Sequence, residues 1–306
     1  MTTNNIYLAH KTKEAIDNCI KADQGATYRK WRGRVLPHIG DAYSEDSFPF
    51  RSHMGASLIG NECGRAVWYG FRWSMRPVFE GRLIRLFNRG HLEEGRFIAQ
   101  LLSIGVEVFQ QDENGKQFRI SHAGGHFGGS GDGIAIGLPD LAPGQACLLE
   151  FKTHNDKSFK KLVEVGVKEA KWEHYVQMNV YMRKMGLPIA LYGAVNKNDD
   201  SEHWELVPLN PEVADAFLDR GEQLVQMQDA PKKLNASPGF FKCKFCNFRP
   251  ICHLGVQPDR NCRTCQYAKI ADGGVWKCGK TNSQLTKEQQ LAGCNQYYLS
   301  DGFINK

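Results

Sequence analysis

Between Arg82 and Leu102 the apolar positions recur with the 3.6-residue period of an α-helix. At 100° per residue, Arg82, Arg85, Arg89 and Arg96 project along one narrow side, while Ile84, Phe87, Ile98 and Leu102 lie on the other. His91 and Glu94 fall on that apolar side, and two ionisable groups on a buried face are costly to hide without a partner. A shorter stripe of Ala15, Ile16, Cys19 and Ile20 predicts a helix over 11–23, and further helices are predicted over 157–169, 172–185 and 211–227. Strand-like runs at 106–109, 118–121, 132–136, 146–152, 189–195 and 204–207 complete an α/β pattern. A glycine-rich loop (Gly124, Gly125, Gly128, Gly129, Gly131) leads into Asp132, and a turn region over 137–144 follows.

If the 132–136 and 146–152 runs are arms of a hairpin symmetric about Leu141, Ile134 faces Leu148 and Asp132 faces Glu150. Directly opposed Cβ atoms lie about 4.5–5.5 Å apart. Two carboxylates at that spacing repel unless a cation sits between them, and oxygen ligands suit Mg2+. Lys152 projects from the same strand face as Glu150, where an ammonium can orient an attacking water and steady charge on a phosphate. Gln177 and Tyr181 stand at i and i+4, one face of a helix. Taken alone, an Asp and a Glu-x-Lys are weak motifs, because carboxylates and lysines recur on most surfaces.

The 306 residues allow one large domain, or a domain with a small appendage, and 42% hydrophobic content can bury a core. No stretch has the apolar length of a membrane span, and Met1–Asn5 lacks the basic and apolar regions of a signal peptide; the expectation is a soluble, cytoplasmic chain with no membrane association. A net charge of +6 pulls only weakly toward polyanions. The segment Tyr28–Arg34 interleaves basic and aromatic residues, which suits phosphates and unpaired bases; a solvated loop with one packing tryptophan accounts for it equally well.

Ten cysteines without a secretory signal argue for metal ligation over a disulfide framework. Cys63 with Cys243-x2-Cys246-x5-Cys252 supplies four thiolates, enough for a [4Fe–4S] cluster or a tetrahedral Zn2+, and either would close a long loop. Cys262-x2-Cys265-x12-Cys278-x15-Cys294 has the spacing of a zinc module, and Cys19 and Cys147 remain as core residues. Gly274-x4-Gly279-Lys280-Thr281 matches the phosphate-binding P-loop letter for letter. It contains Trp276 and Cys278 and lacks a preceding apolar strand, so ATP is not an expected ligand.

Read in order, His91, Asp132, Glu150-Phe151-Lys152 and Gln177-x3-Tyr181, enclosed by Cys63 and the cysteine trio, resemble the PD-(D/E)xK nuclease superfamily. Within it the pattern is similar to the RecB-like and CRISPR-associated adaptation exonucleases that carry a four-cysteine iron–sulfur site. The resemblance implies a restriction-endonuclease-like α/β core, a mixed central sheet flanked by helices, with an iron–sulfur clasp and a small C-terminal zinc module. It divides the chain into an N-terminal helical and basic segment (1–54), a nuclease domain with the clasp (55–257) and the cysteine-rich module (258–306). By the same resemblance His91, Asp132, Glu150 and the Phe151 carbonyl would hold Mg2+ or Mn2+, Lys152 would position water, and Gln177 and Tyr181 would contact the substrate strand or brace the site. Cys63, Cys243, Cys246 and Cys252 would hold the [4Fe–4S] cluster, leaving Zn2+ to Cys262, Cys265, Cys278 and Cys294. Gly131 stands where the superfamily name has proline, and Gly90 directly precedes His91, tighter than the family spacing, so Glu94 is the alternative for the early-helix role.

The implied activity is metal-dependent hydrolysis of DNA, at ends or on single strands, in recombination, repair or phage and CRISPR DNA processing, with a recombination or adaptation protein as partner. The rival is a non-catalytic nucleic-acid-binding protein with structural metals, which has no need of clustered carboxylates near phosphate. A thiolate redox protein ranks last, because no Cys-x2-Cys lies in a thioredoxin-like context.

Overall fold

Apolar runs at Ala146–His154 and Ile189–Asn196 form two adjacent parallel strands with most residues buried, as strands covered on both faces require. The computed structural model describes residues 6–39 and 50–303; Met1–Asn5, read above for a signal peptide, lies outside them. In chain order the strands are β1 (Tyr7–Leu8), β2 (Met54–Gly55), β3 (Glu107–Phe109), β4 (Arg119–His122), β5 (Phe127–Ser130), β6 (Gly133–Ile136), β7 (Ala146–His154), β8 (Ile189–Asn196), β9 (Glu202–Pro208), β10 (Ala268–Ala271), β11 (Val275–Cys278) and β12 (Gln284–Leu285). The helices are α1 (His10–Ala22), α2 (Ala26–Val35), α3 (Gly64–Phe71), α4 (Gly81–Ser103), α5 (Asp156–Ala170), α6 (Trp172–Met185), α7 (Pro211–Gln226), α8 (Phe241–Lys244), α9 (Arg249–His253) and α10 (Lys287–Ala292). The chain divides into two units, one of residues 1–46, 79–120 and 130–214, the other of residues 47–78, 121–129 and 215–306.

The first unit holds a mixed six-stranded sheet in the order β1-β9-β8-β7-β6-β3, in which only β7 and β8 run parallel. One face is covered by α1, α2 and α4: Ile16, Val35, Phe97, Ile98 and Leu101 pack with Cys147, Leu149, Phe151, Leu191 and Trp204. Phe97 stacks on Phe151 with ring centroids 4.9 Å apart. Residues of β7 and β8 alternate between faces, so Glu150, Lys152 and Tyr192 point to the other side, toward the buried middle of α6. This is the mixed sheet flanked by helices that the sequence leads one to expect. The β6–β7 register is also the expected one, with Ile134 opposite Leu148.

Two local expectations are corrected. Tyr28–Arg34 is not a loop but the body of α2, in which Arg32 and Arg34 lie over the rings of Tyr28 and Trp31. The apolar side of α4 is not buried throughout: Ile98 is buried, whereas Ile84 and Phe87 are 56% and 45% exposed.

In the second unit, β2 pairs in parallel with β5, and β10, β11 and β12 form an antiparallel sheet. Trp68, Tyr69, Ile251 and Phe303 make its core. Residues beyond Pro258 are tied to 47–78: Asp259 N–H donates to Ser74 O, Asn261 Nδ2 to Trp73 O, and Phe303 packs on Trp68 with centroids 4.8 Å apart. Gly125, at φ 87°, passes so close to Gly274 that a Cβ would meet its nitrogen at 2.6 Å. The Gly-x4-Gly-Lys-Thr stretch runs along β11 into a turn toward β12, whereas a P-loop turns from a strand into a helix.

Candidate active site

Strand β6 begins at Gly133, whose φ of 153° and approach to the Phe109 carbonyl (2.9 Å from where a Cβ would sit) require glycine. That turn delivers Asp132 to the middle of β7. The last pair of the β6–β7 ladder, Gly133 with Leu149, places Asp132 one step on, across from Glu150. Asp132 Oδ2 accepts the Phe151 N–H at 2.7 Å. The Glu150 carboxylate is fully buried; Lys152 Nζ donates to one oxygen, and Gln177 Nε2 donates to the other at 3.0 Å. Lys152 Nζ also lies 3.3 Å from the Phe151 carbonyl, and its side chain is 28% exposed.

Burial, and then the neighbouring Glu150 charge, holds the Asp132 carboxyl well above the usual carboxylate range. Burial also raises Glu150, against the opposing pull of Lys152 and Gln177. For Lys152, burial alone would lower the pKa; the Glu150 and Asp132 carboxylates overcome it and hold the ammonium firmly charged. Glu94 contributes to all three, raising both acids and Lys152, so its carboxylate reaches this group. His91 stands beside it, with Nδ1 at 3.6 Å from Glu94 Oε1, and both side chains are about one third exposed. Tyr181, one turn beyond Gln177 on α6, is buried.

Among the described residues no three His, Cys, Asp or Glu side chains stand in an arrangement that could hold a metal ion. At Asp132 and Glu150, Lys152 and the Phe151 N–H occupy carboxylate oxygens. The donor chemistry nonetheless fits a hard divalent cation. The acids and the Phe151 carbonyl offer oxygen only, and a cation among them would relieve the like-charge repulsion that raises Asp132.

A buried polar chain continues behind the acids, and the motif reading missed it. His154 Nε2 and His174 Nδ1 lie 2.9 and 2.8 Å from Tyr192 Oη, and His154 Nδ1 lies 2.9 Å from Ser158 Oγ. The signal was present: His154 extends Glu-x-Lys by two on the same strand face, and His174 precedes Gln177 by three on one helix face. Burial pushes His154 down to about 4 and His174 down to about 2, and the Lys152 charge adds to both shifts. Their folded-state values lie below the unfolded one, so the stabilisation is present above about pH 6.5 and is lost as pH falls toward 4, when the unfolded chain takes up protons first. For His154 that loss is about 1.4 kcal/mol per pH unit. Denaturant midpoints between pH 7 and pH 4 should fall less steeply for His154→Gln than for wild type; parallel curves would contradict this.

Both cysteine groups lie in the second unit, and all ten cysteines are free thiols. Burial raises the Cys246 and Cys252 thiols, and Cys63 and Cys243 raise both further. Burial pushes Cys262 up to about 11, with Cys294, Cys265 and Cys278 adding to it. Each expected quartet is thus gathered within electrostatic reach. Cys246 accepts the N–H groups of Phe248 and Arg249, and hydrogen bonds from the Thr281 side chain and from the Thr281 and Lys280 N–H groups hold the Cys278 thiol below its ordinary value. Cys147 is buried and Cys19 half-buried, its thiol directed at Ser103 O.

No family model and no curated protein matches the chain. Among solved structures it is similar to LHK-Exo in complex with dAMP (TM-score 0.43, 14% identity, 64% of this chain and 90% of that one). It is also similar to the alkaline exonuclease LHK-Exo from Laribacter hongkongensis (0.40, 13%, 64% and 90%) and to SSO0001 (0.37, 15%, 76% and 99%). Likenesses this loose assign neither residues nor a reaction. Among the described residues no helix is long and apolar enough to cross a membrane.

Proposed function

We propose that the chain is a metal-dependent DNA phosphodiesterase of PD-(D/E)xK type, acting on ends or single strands. The observation that carries this reading is the juxtaposition at the start of β6 and the middle of β7. Two adjacent carboxylates, one fully buried, are held beside a charged lysine, with a third acid, Glu94, within reach. A purely structural ion pair needs one acid for one base, and the surplus of buried acid is an expense a fold avoids unless a cation or substrate uses it.

Asp132, Glu150 and the Phe151 carbonyl would hold Mg2+ or Mn2+, with Glu94 or its neighbour His91 completing the set. The ion, when bound, supplies an activated water and charge neutralisation on the phosphate. Lys152 keeps its proton and donates to Glu150, which fixes the carboxylate and leaves an ammonium to steady developing negative charge. Gln177 holds the other Glu150 oxygen in place from α6. Buried Tyr181 would brace that helix face and not touch the strand directly. The test is cleavage of a labelled oligonucleotide by purified protein, which should be absent in EDTA and return on adding Mn2+; EDTA-resistant cleavage would contradict the assignment.

Cys63, Cys243, Cys246 and Cys252 would hold a [4Fe–4S] cluster and the later quartet a Zn2+. The hydrogen bonds aimed at Cys278 favour thiolate, the form that binds metal, whereas those at Cys246 only oppose the burial that raises it. Protein purified without oxygen should then be brown and contain iron and zinc, and Cys63→Ser or Cys252→Ser should bleach it and lower its thermal midpoint. Colourless protein with zinc alone would assign Zn2+ to both quartets. The process served, whether recombination, repair or capture of foreign DNA, would follow from the protein partner.

A further inference from the structure

One stripe of α4 passes through two environments. Leu101, Ile98 and Glu94 recur on the side facing the sheet, and the same stripe continues through His91, Phe87 and Ile84. Leu101 and Ile98 are buried, but Phe87 and Ile84 are exposed. Phe79, just before the helix, is also exposed and meets Phe87 edge-on with ring centroids 5.1 Å apart. Over these turns the helix carries Arg82, Arg85 and Arg89, against one acid, Glu80 at its N-cap, and none from Gly81 to Leu92. At 1.5 Å rise per residue, Phe87 lies about 10 Å along the axis from Glu94, whose carboxylate reaches Asp132 and Glu150.

We infer that Phe79, Ile84 and Phe87 form a stacking platform for the unpaired bases of the strand leading to Asp132 and Glu150, which makes single-stranded DNA the substrate class; this rests on the phosphodiesterase reading above. An exposed aromatic pair binds unpaired bases without reading their sequence, because every base offers a π face. Duplex bases are already stacked on each other and offer none. The charge pattern selects the same occupant: the arginines project from the opposite side of the helix, so they draw a polyanion to this end of α4 through their field and leave the stripe itself for bases.

The test is fluorescence anisotropy in EDTA with a labelled thymidine oligonucleotide and a blunt duplex of equal length. Phe79→Ala/Phe87→Ala should weaken single-strand binding by about 10- to 100-fold and leave the duplex unchanged. Arg82→Gln/Arg85→Gln should flatten the salt dependence, by up to about 1.4 in log–log slope if both arginines reach phosphates. Single-strand affinity within about twofold of wild type in the aromatic variant, or an equal loss on duplex, would overturn the platform. So would a Phe87→Asp variant that changes the mass in solution while binding the strand normally, since the face would then join copies of the chain. Hydrolysis of bis-p-nitrophenyl phosphate in Mn2+, a diester with no strand to lie along α4, reads the reaction separately and should be lost in Glu150→Gln. If wild type does not cleave it, the phosphodiesterase reading falls, while anisotropy still decides the platform.

Discussion

Asp132→Asn and Glu150→Gln should each lower the rate of DNA cleavage by about a thousandfold or more, with strand binding retained. A ligand carboxylate carries charge stabilisation worth several kcal/mol, and each 1.4 kcal/mol is tenfold in rate. The amide replacements are nearly isosteric: the amide oxygen introduced at position 132 could still accept the Phe151 N–H, and the amide introduced at position 150 could still pair with Gln177. They remove charge from a place where burial already disfavours it. Without divalent ions the thermal midpoint of Asp132→Asn should therefore equal or exceed that of wild type, whereas that of Glu150→Gln should not rise, because Lys152 loses its main partner. Lys152→Ala should also slow cleavage heavily, and it should destabilise, because it leaves Glu150 buried without its cation. Loss of activity accompanied by loss of fold in both amide variants would point to a structural role instead.

The second large effect belongs to Arg263, between Cys262 and Cys265. Its guanidinium is almost fully buried, 3.7 Å from the Trp73 ring centroid and 4.7 Å from that of Trp276. It donates to Gln290 Oε1, Phe71 O and Ser52 O, and burial, with the nearby Arg72 charge, pushes its pKa down to about 8. Removing it strands three acceptors and opens a slot between two indoles, so Arg263→Ala should cost about 3–5 kcal/mol. Arg263→Lys should recover little, since one ammonium cannot reproduce the planar fork or the stacking. The denaturant midpoint measures the first effect; with Zn2+ at the later quartet, as proposed, its retention should fall too, because both flanking cysteines lose their anchor. Truncation after Gln257 removes Arg263, Asn261 and Phe303 together and should destabilise this unit severely.

What was legible in the sequence was what period and register govern. The strand pair around Leu141 obeyed the symmetry of its turn, so Ile134 met Leu148. The 172–185 helix appears as Trp172–Met185 because its apolar spacing is uninterrupted up to Gly186, whose φ of 69° ends it. Burial was less legible where a helix outruns the sheet beneath it: Ile84 and Phe87 keep the stripe but lose the cover. Tyr28–Arg34 offered no apolar period, yet it is helical because Val35 and the following Leu36 and Ile39 anchor it, the last two against Gly95 of α4. Least legible were contacts far apart in the chain, such as Arg263 on Trp73, which depend on tertiary placement and leave no periodic trace; His154 and His174 keep the strand and helix periods, but nothing in the sequence says that both meet Tyr192.

The most direct test of the central claim follows a single strand in 18O-labelled water with Mn2+, comparing wild type with Glu150→Gln prepared identically. Mass spectrometry should find one labelled oxygen in the terminal phosphate of each product nucleotide from wild type, and intact strand from the variant. Unlabelled product, no product from wild type, or equal product from both proteins would contradict hydrolysis at Asp132 and Glu150.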